Sequence, residues 1–143
     1  ESEGWLRIES DREIVAWASQ IDNSSQDPDF LSASRPSASR LLIPAAVSAG
    51  AFRSTLVLLN GDAAPNPVTL TVRGPDGDIR HVSSVSIPGN GLLVYADILE
   101  SLGLGGTFGP LEIVSSANKS VLAISRVSSE QHTGGLLRTE ELP

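Results

Sequence analysis

The 143-residue chain contains no cysteine. A disulfide framework and a thiolate site are therefore both excluded. Methionine is absent too, so the expectation is a processed product or a piece of a longer protein. Aromatic residues make up only 4%, which leaves Val, Leu and Ile to fill any core. Basic residues are also few. Ten Lys and Arg stand against 17 Asp and Glu, for a formal charge of -7. That balance argues against nucleic-acid phosphates and anionic membranes as partners. No apolar run approaches the roughly 20 residues of a membrane-spanning helix, so no membrane insertion is expected.

Chemistry-bearing motifs are scarce as well. Serines are abundant, but no G-x-S-x-G elbow occurs. His81 and His132 lack partners at metal-ligand spacing. The stretch "LGLGGTFG" lacks the Lys-Ser/Thr of a phosphate loop and follows a helical pattern instead of opening one. The expectation is a protein that is not an enzyme and has no resident cofactor.

What is present is strand grammar. Hydrophobic residues reach 40% and charged residues 19%, the balance of a globular chain. "VTLTVRG" alternates with Val68, Leu70 and Val72 on one face. "FRSTLVLLN" reads as a buried strand, and "IRHVSSVSIPG" as the return strand after the turn "GPDGD". "RLLIPAAVSAG" reads as an edge strand, because Pro44 cannot donate a ladder hydrogen bond. "ADILESLGLGG" is the single helical candidate, a short turn near 97–102 capped by Asp97 and stopped by Gly103.

At the start of the chain, "LRIES" and "EIVAWASQI" flank Ser10-Asp11-Arg12. A three-residue loop there predicts a hairpin in which Ile8 faces Ile14 and Trp5 faces Trp17. "GPLEIVS" and "SVLAISRVSS" predict a second hairpin of similar pattern, with Ala123 matching Ala16 and Ile124 matching Trp17. The similarity predicts one complete repeat preceded by the last hairpin of another. The expected organisation is a hairpin over 1–22, a Ser/Asp/Pro-rich linker over 23–39 and a β-sandwich over 40–143.

An apolar strand ending in Asn60, a turn, "VTLTV", a Pro/Gly turn, a short helix and the strand "GPLEI" follow in that order. This pattern resembles the immunoglobulin-like repeat modules of large secreted bacterial surface proteins. The resemblance spans most of Leu41 to Arg138. It implies an all-β, immunoglobulin-like antiparallel sandwich with adhesive or structural work outside the cell. It carries over no catalytic residue.

An extra hairpin needs cover for its apolar side, either by folding back to widen a sheet of its own sandwich or by docking on a neighbouring molecule. The candidate interface is Trp5, Leu6, Ile8, Ile14, Ala16 and Trp17. The expected partners are copies of the chain or neighbouring repeat domains, met through hairpin and sheet-edge contacts, with a filament as one outcome. The alternative is a carbohydrate-binding module with the Trp pair as platform. Asp22, Asn23, Asp27 and Asp29 are candidate calcium ligands, and Asp76 and Asp78 sit in a second acidic turn. Such residues are also what turns prefer.

Overall fold

Alternation in "VTLTV" carries through to structure. In a computed structural model, which describes residues 4–21, 28–33, 38–129, 134–137 and 139–142, Val68, Leu70 and Val72 are all buried. The described elements are β1 (Trp17–Ile21), β2 (Pro28–Ser32), β3 (Arg40–Ala49), β4 (Phe52–Leu59), β5 (Asn66–Arg73), β6 (Ile79–Ile87) and β7 (Leu92–Tyr95), then α1 (Ile98–Ser101), β8 (Thr107–Ser115), β9 (Leu122–Ser129), β10 (Gly134–Leu137) and β11 (Glu140–Glu141). All pairings among them are antiparallel. Among the described residues the fold is therefore all-β apart from one helical turn.

Strands β3 to β11 form two wings of one continuous sheet. The first runs β11-β3-β8-β5-β6 and the second β7-β4-β9-β10. They meet at the β3–β4 corner, where only Ser48↔Arg53 and Ala49↔Phe52 pair. Gly50 turns that corner at φ 57, a value glycine adopts without a Cβ clash. Leu41, Ile43, Leu70, Leu111 and Ile113 of the first wing join Leu56, Leu58 and Ala123 of the second in one buried cluster. The wings thus face each other across a common core, as in a sandwich.

The helix forms where the sequence placed it. The Asp97 side chain accepts from the Glu100 N–H at 3.1 Å and from the Ser48 hydroxyl at 2.7 Å. Ile98 and Leu99 are fully buried, and Gly103 follows at φ 74. In the turn "GPDGD", the Gly74 N–H donates to Asp78 at 2.8 Å, and only Gly77 takes positive φ.

Three expectations are corrected. The opening hairpin does not pair Ile8 with Ile14 or Trp5 with Trp17. Residues 4–16 carry no strand, and β1 pairs instead with β2, inside the stretch expected to be linker. The Arg12 N–H donates to the Ser10 hydroxyl at 3.1 Å, a local bond in place of a cross-strand ladder. "SDR" offers no glycine for the left-handed residue that a three-residue hairpin requires.

The second hairpin is absent as well. β8 pairs with β3 and β5 in one wing, and β9 pairs with β4 and β10 in the other. The segment between them passes from one wing to the other, turning at Asn118 (φ 51). The expected match between two hairpins therefore has no counterpart in the fold.

Finally, β3 is not an edge strand, since β8 lies on one side and β11 on the other. Pro44 is accommodated because the β3–β8 register shifts between Ile43 and Ala46. A bulge removes the ladder bond that proline cannot make.

Candidate interaction surface

The surface is built from the opening arm. The β1–β2 register places Trp17 opposite Ser32, Ser19 opposite Phe30, and Ile21 opposite Pro28. Residues directly opposite in an antiparallel pair share a face. Trp17, Ile21, Pro28 and Phe30 therefore lie together on one side of this small ribbon. The Trp17 and Phe30 rings sit 5.9 Å apart at 55°, a tilted aromatic pair. That side is open to solvent: Trp17 is 68% exposed and Phe30 63%.

The residues before the ribbon are equally uncovered. Leu6 is 84% exposed and Val15 93%, while Ile8 and Ile14 are about half exposed. Trp5 is tied to the body, its indole N–H donating to the Asn90 carbonyl at 3.2 Å. The half-buried Ala16 accepts from the Ala33 N–H at 2.8 Å, one bond beyond the ribbon. Of the expected interface, then, Trp5 is anchored and Ala16 is partly covered. Leu6, Ile8, Ile14 and Trp17 stay exposed.

Sequence reading missed Ile21 and Phe30. The available signal is "DNSSQDP", a turn-rich stretch between two apolar segments that competes with "SDR" as the hairpin turn. The Trp5–Trp17 pair is not formed, because Trp17 takes Phe30 as its ring neighbour.

Asn90, which receives Trp5, is itself held firmly. Its N–H donates to Asp62 at 2.7 Å, and Gly91 receives the Asn60 N–H at 3.0 Å. The Asn60 amide ties the same turn to the loop after β4. The arm thus meets the body at a rigid corner.

Elsewhere the outer face of the first wing is mixed and charged. Arg40 and Arg73 approach Glu112 at 3.1 Å and 3.9 Å, both arginines being solvent-accessible and Glu112 mostly covered. Arg80 pairs with Asp76, whose carboxylate also accepts from the Asp78 N–H at 3.1 Å. His81 is half-buried in β6 opposite Val72; His132 lies outside the described residues. So do the calcium candidates Asp22, Asn23 and Asp27. Asp29 falls in β2 opposite Gln20, its side chain likewise outside the description.

Among the described residues, no group of three His, Cys, Asp or Glu could hold a metal ion. No described helix is long and apolar enough to cross a membrane. Burial raises the Tyr95 phenol above its ordinary 10.0. No protein-family model, curated protein or solved structure matches the chain.

Proposed function

We propose that this chain is a non-enzymatic, extracellular structural module, immunoglobulin-like in its strand grammar, that associates with copies of itself through its opening arm. One observation carries the reading: eight large apolar side chains between Trp5 and Phe30 are exposed beside a core that is already closed. They present on the order of 1,000 Å² of apolar surface, against the roughly 800 Å² that each partner contributes to a standard interface. Burying each large side chain is worth roughly 1.5–3 kcal/mol.

Sedimentation over a concentration series tests the reading. Association should strengthen with concentration and fall in the triple variant Leu6→Ser, Val15→Ser, Trp17→Ser at an unchanged melting midpoint. A strictly monomeric wild type at the highest concentration refutes it. A sugar platform on paired tryptophans loses its geometric basis, because Trp17 pairs with Phe30 at a tilt. Calcium at Asp22, Asn23, Asp27 and Asp29 is tested by melting with chelator, and an unchanged midpoint rejects it.

A further inference from the structure

Part of the second wing's outer face differs from that of the first, although its next row, Thr55, Arg126 and Leu136, is mixed. Its register aligns Leu92, Leu59 and Leu122 in one cross-strand row, and Val94, Val57 and Ile124 in the next. Directly paired residues share a face. The alternating partners Leu56, Leu58 and Ala123 are in the buried cluster. The two rows therefore point away from the core, and each of their six residues is only half-buried. They form a continuous aliphatic patch across β7, β4 and β9. The first wing presents a different pattern at the equivalent depth: Leu42, Glu112 and Thr71 in one row, Arg40, Val114 and Thr69 in another. Charged and hydroxyl groups break up its outer face.

The same chain thus carries two apolar sheet faces, one open to solvent and one half-buried. One is the aromatic side of the β1–β2 ribbon, the other the aliphatic side of the second wing. The ribbon forms its own two-stranded sheet, paired with no other described strand, and its aromatic side stays exposed in the single chain. A two-stranded ribbon is marginal in water without a surface to pack on.

We infer that the aliphatic face of β7-β4-β9 is the docking site for the β1–β2 ribbon of a second copy. This rests on the self-association reading above and names the receiving surface. Trp17, Ile21 and Phe30 supply the anchors, and the six aliphatic residues supply the floor, sheet face on sheet face. The contact joins two different surfaces, so it is head-to-tail, giving a ring or a filament according to its rotation.

The absence of native cysteine makes the test direct. A Ser19→Cys chain places a thiol within the aromatic side of the ribbon, and an Ile124→Cys chain places one in the aliphatic face. Mixed and oxidised, the two variants should form a cross-linked heterodimer in excess of either homodimer. Separately, Ile124→Arg should weaken association at least about tenfold at an unchanged melting midpoint. Thr71→Arg, on the opposite outer face, should leave association unchanged. Assembly without the heterodimer cross-link overturns this assignment and leaves self-association standing. A protein monomeric at all concentrations, with the cross-link forming inside one chain of the double variant, overturns both.

Discussion

Replacing Asn60 by Ala should remove about 3 kcal/mol of stability. Asn60 is fully buried at the end of β4. Its amide nitrogen donates to the carbonyls of Ala64 at 2.9 Å and Pro88 at 3.1 Å, with Ile87 at 3.4 Å. Its oxygen accepts from the Asp62 N–H at 3.0 Å. Alanine orphans that N–H and the carbonyls together. A net hydrogen bond is worth about 0.5–1.5 kcal/mol, and an orphaned buried group costs about 1–3 kcal/mol. Asp62 and Ala64 are exposed, so water recovers part of the loss on their side. What remains is about 3 kcal/mol, or about 10 °C in melting temperature for a domain of this size. Urea unfolding reads it as a lower midpoint at constant slope. Asn60→Asp keeps the shape and the acceptor but loses both donors, so it must fall as well. A loss below about 1 kcal/mol for Ala, or wild-type stability for Asp, refutes the reasoning.

Gly89→Ala should cost about 2 kcal/mol or more in the same assay, because an added Cβ collides with the Ala63 carbonyl; a neutral result would mean the turn yields freely. Ser125→Ala should be neutral or stabilising, since the Ser125 hydroxyl is buried without a hydrogen-bond partner. A loss above about 1 kcal/mol would reveal a missed bond. Tyr95 gives a pH dependence. Its phenol is raised by burial, so the folded chain holds that proton more tightly than the unfolded one. The resulting stability is full below the unfolded value and is lost as pH rises through the folded one. Between pH 8 and pH 11, Tyr95→Phe should lose less of its urea midpoint than the wild type, and equal losses would refute the assignment.

Local patterns were legible where a single residue type settles the geometry. Val68, Leu70 and Val72 alternate, and all three point inward. Asp97 caps and Gly103 stops the helix because those roles demand a short acceptor and a left-handed residue. Leu6 and Ile8 alternate just as well, yet no strand forms there. Alternation says which face a strand would bury, and is silent on whether a partner lies alongside. The same limit hid the crossing between β8 and β9. Ser115 to Val121 could close a hairpin or change wings, and the choice is made by distant groups. The Ser115 hydroxyl accepts from Lys119 at 3.0 Å, and the Ala38 carbonyl accepts from Val121 at 2.9 Å. Buried polar residues were opaque for a related reason. Asn66 looks like turn residue, but its amide receives the Ser115 hydroxyl at 2.7 Å and donates to Ser120 at 3.2 Å. The pairing exists only once two strands far apart in sequence are in place.

The arm and the receiving face have a common thermodynamic logic. The core is complete without the ribbon, since every member of the buried cluster lies in β3 to β9 or between them. The arm is tied to the body by the Trp5 bond to Asn90, while Leu6, Val15 and Trp17 stay exposed. A five-residue pair of strands recovers little of its own ordering entropy, which is roughly 1–2 kcal/mol for each backbone residue fixed. Burial of Trp17, Ile21 and Phe30 on a neighbour would offset part of that cost, by at most roughly 1.5–3 kcal/mol each. If the arm docks on a second copy as proposed, ribbon order and association form a single linked equilibrium, in which that copy acts as the ligand and concentration sets the population.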